Sequence, residues 1–135
     1  MKKLATVLVL AAICGTISCK KEKPQPVVPA TRTIKFILYT NQDFSTDDDT
    51  ISFLLTIRNN TGMINSRTIF DSTLATMRIK DIPKPSNKLI FEKTVPNDRS
   101  VLTAGFVYTT RFGVGWHLDT CGANNRLKVI EYPFQ

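Results

Sequence analysis

Three residues with chemically able side chains, His117, Asp119 and Cys121, stand two apart near the end of the chain. An imidazole, a carboxylate and a thiol are the ingredients of an activated nucleophile or a soft-metal site. On a strand this spacing puts all three on one face, because successive side chains alternate. It also sets neighbours about 7 Å apart, too far for a direct hydrogen bond without a turn or bulge. His117 is the only histidine in the chain, so a multi-histidine metal site is excluded. The expectation is a polar, outward face opposite Trp116 and Leu118, with no catalytic residue assigned. His117 and Asp119 are kept as candidates for a ligand surface.

A second cluster, Asp43-Phe44-Ser45-Thr46-Asp47-Asp48-Asp49, gathers four carboxylates into one short stretch. Ca²⁺ takes about six to eight oxygen ligands, and Asp43, Asp47, Asp48 and Asp49 are weak candidates to supply some of them. The EF-hand spacing is missing, since no glycine at the sixth position or closing glutamate follows. The plainer reading is a solvated turn whose Asp side chains accept hydrogen bonds from nearby backbone amides. No cofactor or metal is therefore assigned.

A third set, Phe106, Tyr108, Phe112, Trp116, Tyr132 and Phe134, would offer stacking faces to a glycan if it reached solvent. Aromatic residues more often fill cores. Tyr108 and Tyr132 are the pair expected nearest the surface, because their hydroxyls tolerate water. The chain carries no P-loop, G-x-S-x-G, H-E-x-x-H or C-x-x-C motif.

The first residues say where these groups operate. Lys2 and Lys3 precede an apolar run, Leu4 to Ile13, and Gly15, Thr16 and Ser18 give a small-residue exit. That order is a secretory signal peptide, and the run is shorter than the roughly 20 apolar residues a membrane-spanning helix needs. Thr16-Ile17-Ser18-Cys19 resembles the lipobox of bacterial lipoproteins. The resemblance implies cleavage before Cys19 and acylation of its thiol and new amino end. It also implies attachment to a membrane of the bacterial cell envelope. Two or three acyl chains, at about 0.8 kcal/mol per buried CH₂, hold a protein lastingly where one does not.

Residues 1–18 are then a removable signal, and 19–30 (CKKEKPQPVVPA) a flexible tether rich in lysine and proline. Proline fixes φ and removes a donor, so the tether reads as an extended spacer. The whole chain carries +7, and removal of Lys2 and Lys3 leaves 16 basic against 11 acidic residues. Lys20, Lys21 and Lys23 of the tether suit anionic lipid headgroups. No helical basic stripe points to nucleic acid, so none is expected as a partner. With Cys14 discarded and Cys19 lipidated, Cys121 is left without a disulfide partner.

The elements that must position the candidate groups follow from Thr31 onward. Ile34, Phe36 and Leu38 alternate with polar or half-polar neighbours, as do Ile51, Phe53, Leu55 and Ile57. Period two is the mark of half-buried strands. Further strands are expected over 64–70, 75–82, 88–95, 101–111, 114–118 and 127–134. Turn-forming residues separate them, among them Asn59 to Gly62 and Pro83 to Asn87. Residues 31–135 therefore read as one all-β domain, an immunoglobulin-like β-sandwich of about seven or eight strands. A transthyretin-like or C2-like sandwich is the alternative. Trp116 and the phenylalanines are expected to fill its core. The composite expectation is a lipid-anchored, non-enzymatic binding or assembly module with an envelope protein or glycan as partner. A glycan- or Ca²⁺-binding receptor is the alternative reading, and a small hydrolase the least favoured.

Overall fold

The computed structural model describes residues 30–59 and 66–135. The signal segment, Cys19 and the tether up to Pro29 lie outside the described residues. So does the turn expected at Asn60 to Gly62.

The described residues form an all-β sandwich of seven strands in two sheets. These are β1 Thr31–Thr40, β2 Thr50–Asn59, β3 Arg67–Arg78 and β4 Leu89–Pro96, then β5 Leu102–Thr110, β6 Gly113–Cys121 and β7 Leu127–Phe134. One sheet has the order β4-β1-β7, with β1 parallel to β7, and the other the order β3-β2-β5-β6. An immunoglobulin sandwich pairs its first strand with its second and its third with its sixth. Here β1 pairs with β4 and β7, and β3 with β2 alone, so the immunoglobulin topology is not the one adopted.

Alternation fixes the core. Ile34, Phe36 and Leu38 of β1 face Ile51, Phe53, Leu55 and Ile57 of β2 within one buried cluster. Leu102, Ala104 and Phe106 of β5 and Ile130 of β7 complete its centre. Phe36 meets Phe106 edge to face at 5.7 Å across the two sheets, and Phe53 meets Phe134 the same way at 5.7 Å. Such tilted pairs contribute about 0.5–1.5 kcal/mol beyond the area they bury.

Over the described residues 66–82, one strand, β3, stands where two were expected. Asp71-Ser72-Thr73 has turn-like composition, yet these residues pair with Thr56, Leu55 and Leu54 and stay within β3. Register shifts beside Leu54 and Arg58 absorb the mismatch. Ile79–Asp81 is a 3-10 turn, tied to the acidic loop by Ile79 N–H to the Asp49 carbonyl and Lys80 N–H to that of Asp47.

Arg32 shares the inward face of β1 and is fully buried. Its guanidinium donates to the carbonyls of Ser100 at 2.8 Å and Cys121 at 3.2 Å and meets Asp98 at 3.3 Å. Thr40 closes the other end of the strand by donating to the Phe134 carbonyl at 2.7 Å. The core is thus capped at both ends by polar side chains, Thr40 paired with a backbone carbonyl and Arg32 with two backbone carbonyls and the Asp98 carboxylate. Buried polar atoms are normally paired, and Arg32 Nε is an exception, with no partner among the described residues.

Candidate functional site

Strand β6 carries Trp116, His117, Asp119 and Cys121, and its orientation is the reverse of the one expected. Cys121 is fully buried, whereas Val114, Trp116 and Leu118 are 60%, 69% and 42% exposed. The row containing His117, Asp119 and Cys121 therefore faces into the sandwich margin, and the apolar row faces solvent. A strand turned by one position exchanges its faces entirely. The cause lies in β5. Phe106 and Tyr108 already fill the inward positions opposite His117 and Gly115. A Cβ at Gly115 would lie 2.2 Å from the Tyr108 ring, so only glycine leaves that ring its place.

The sandwich margin between β6 and β7 gathers the proposed ligand residues into one cluster. His117 stacks on Tyr132 with centroids 4.6 Å apart and planes 7° apart. Tyr132 stacks in turn on Tyr108 at 6.0 Å. Desolvation, then the hydrogen bond with Tyr108, pushes the Tyr132 phenol above its usual range. Asp119 forms an ion pair with Lys128 and accepts the Thr120 amide at 2.7 Å. The Lys128 hydrogen bond, with the Thr120 amide second, holds the Asp119 carboxyl below its ordinary value. His117, Asp119, Tyr108 and Tyr132 thus lie together, as stacked and ion-paired closure of the margin. The Cys121 thiol is in the core and lies 3.8 Å from the Gly122 carbonyl, to which it can donate.

The four carboxylates of the acidic loop are directed to separate partners. Asp43 accepts the Ser45 amide and Asp47 the Asp49 amide, both at 3.0 Å. Asp48 pairs with Arg78 at 3.1 Å and Lys80 at 2.5 Å, and Asp49 with Arg111 at 2.8 Å. The hydrogen bond from Ser45 lowers the pKa of Asp43, and that from Lys80 lowers Asp48. Among the described residues no three His, Cys, Asp or Glu side chains converge as metal ligands would.

The remaining aromatics separate cleanly. Phe106 and Phe134 belong to the core, while Phe112, at the β5–β6 turn, is 79% exposed. Phe112, Val114, Trp116 and Leu118 therefore make one apolar row along the outside of β6, beside the half-buried Val107 that pairs with Trp116. Sequence reasoning took the strand's apolar residues as core. The pair of glycines at 113 and 115, on the opposite row, was the available sign that the other face is the crowded one.

A cavity of about 250 Å³ lies at the opposite margin, lined by Asn59, Arg67, Thr68, Ile69, Pro96 and Asp98. None of the β6 candidates lines it. No family model, curated protein or solved structure matches the chain.

Proposed function

We propose that this chain is an envelope lipoprotein, anchored through Cys19, whose β-sandwich serves as a non-enzymatic binding or assembly module. The observation that carries the reading is the row Phe112, Val114, Trp116 and Leu118, exposed on an edge strand. Contiguous exposed apolar surface beyond a few hundred Å² marks interaction sites, and an open sheet edge is a template for a partner strand. The candidate nucleophile set gives no support to a hydrolase. His117 lies flat on Tyr132, Asp119 is taken by Lys128, and Cys121 is out of solvent. The anchor rests on the order of residues in the first nineteen positions.

The test pairs two measurements on the full chain in bacterial cells. Labelled palmitate enters the protein and is lost in Cys19→Ala. Chemical crosslinking of intact cells yields a discrete adduct that Trp116→Lys abolishes while the fold is kept. A folded, abundant protein that takes no palmitate and forms no adduct overturns the proposal.

A glycan receptor is the second reading, favoured by the breadth of the exposed Trp116 ring. It requires saturable, ligand-dependent stabilisation of the folded protein by an envelope glycan.

A further inference from the structure

The two sheets have four edges among the described residues, β3, β4, β6 and β7, and three of them are blunted against pairing. Natural sheets protect edges with charge, proline and bulges. Strand β3 carries Arg67, Asp71 and Arg78 and two register shifts against its neighbour. Strand β4 carries Glu92, Lys93 and Pro96, and β7 carries Lys128, Glu131 and Pro133. Strand β6 has no proline, lysine or arginine, and its one carboxylate, Asp119, is engaged by Lys128. Its ladder to β5 runs unbroken from Leu102↔Cys121 to Thr110↔Gly113, so the edge is regular along its whole length.

From this contrast we propose that β6 is a self-pairing edge: two copies of the chain join antiparallel through β6, extending the four-stranded sheet across a twofold axis at Trp116. The proposal rests on the binding-module reading and names the partner as a second copy. The strand's own sequence fits such a register. With Trp116 facing Trp116 of the other copy, Val114 faces Leu118, and the apolar rows become one continuous strip. On the inward face Gly113 then stands opposite Asp119, and Gly115 opposite His117. Two carboxylates do not meet, which a register centred on Asp119 would force. Like charges directly opposite one another destabilise a strand pair.

Edge pairing leaves the outward row on the open face of the extended sheet, so Val114, Trp116 and Leu118 are covered only along the flanks that meet the other copy. The strand backbones add their unpaired amides and carbonyls as hydrogen-bonding groups.

The test places photoreactive benzoylphenylalanine at Val114 in the full-length chain, in intact cells, with the same replacement at Ile90 as the control. Ile90 is 55% exposed but lies on β4. The expected result is an adduct of twice the chain mass from position 114 and none from 90. Trp116→Lys, an exposed site where folding is kept, should weaken that self-association by about thirtyfold or more, the effect of losing a central aromatic anchor. An adduct with a different protein overturns self-pairing and leaves the binding-module reading standing. A chain that gives no adduct from 114 while folded and abundant overturns both. Equal dimer adducts from 114 and 90 also overturn the β6 assignment.

Discussion

His117 of β6 lies face to face with Tyr132 of β7, 4.6 Å between centroids, and so spans the two sheets at their open margin. One step along the strand row, Asp119 reaches Lys128 of the same β7. The two contacts close an edge that aliphatic packing leaves incomplete, because β6 presents glycine at 113 and 115. At the far margin Phe70 of β3 stacks on Phe91 of β4 at 6.0 Å, under Lys93, 4.6 Å from the Phe70 ring. Each margin is therefore sealed by stacked rings with a lysine beside them.

The His117 stack should be structural in its energetics. His117→Ala is expected to lower the unfolding free energy by about 0.5–1.5 kcal/mol, the range of aromatic pairs. His117→Phe should recover most of it. Urea unfolding of both variants measures this, and a loss in His117→Ala that Phe does not restore would mean the imidazole's polar atoms carry the contact.

Arg32 holds three acceptors at once, the carbonyls of Ser100 and Cys121 and the carboxylate of Asp98. Removing one partner of a buried set leaves the others unsatisfied, at about 1–3 kcal/mol. Arg32→Met should therefore destabilise by about that amount despite its apolar fit. Arg32→Lys should fare no better, since an ammonium lacks the planar fork that spans separate acceptors. Denaturant midpoints for the pair decide the matter, and a neutral Arg32→Lys would refute the geometric argument.

Stability should fall at both ends of the pH scale. Hydrogen bonds from Lys80, Ser100 and Lys128 hold Asp48, Asp98 and Asp119 below their ordinary value of 3.8, and Lys88 holds Glu131 below 4.5. Folded values below unfolded ones mean that ionisation favours the fold. That contribution is complete above the unfolded values and is lost as pH falls through the folded ones. At the alkaline end Tyr132 is raised above 10.0 by desolvation, and Lys88 above 10.5 by its hydrogen bond to Glu131. These contributions are complete below the unfolded values and are lost as pH rises past them. Thermal melts from pH 2 to pH 11 should show a plateau between, with the acid arm weakened in high salt because the pairs are half-exposed.

The strands and the core of β1, β2 and β5 were legible because each has a row with at least three successive apolar positions (Ile34, Phe36 and Leu38; Ile51 to Ile57; Leu102, Ala104 and Phe106), and alternation then dictates which face is buried. Strand β6 was not legible by that rule. Its apolar row, Val114, Trp116 and Leu118, is the outward one, and the inward row was decided by Tyr108 needing the space above Gly115. That constraint is long-range and invisible to periodicity. Likewise Asp71-Ser72-Thr73 reads as a turn locally but is held extended by β2. The grouping of His117 and Asp119 with Tyr108 and Tyr132 depends on β6 and β7 lying across from each other, which spacing along the chain does not encode.

The facing of β6 can be tested without any partner. Trp116→Thr should change stability by no more than about 0.5 kcal/mol, as exposed substitutions do. Phe106→Ala, in the core one strand away, should cost about 3–5 kcal/mol. Trp116 emission should lie near that of an exposed indole and be quenched readily by iodide. A blue-shifted, shielded tryptophan in the monomer would place the ring inside and reverse the assignment.

Gly115 offers the sharpest check on what orients the strand. A methyl group there would meet Tyr108 Cζ at 2.2 Å and its hydroxyl at 2.3 Å. The ring cannot swing aside freely, because it stacks on Tyr132 at 6.0 Å and meets Phe134 edge to face at 5.5 Å. Gly115→Ala should therefore destabilise by about 1–3 kcal/mol, the range for overpacking a filled site. In a Tyr108→Ala background the obstruction is gone, and the same substitution should then cost little or turn favourable, since alanine suits a strand better than glycine. The coupling in that double-mutant cycle isolates the contact. Additive effects would show that Gly115 is required by the backbone itself, and the orientation of β6 would need a cause other than the Tyr108 ring.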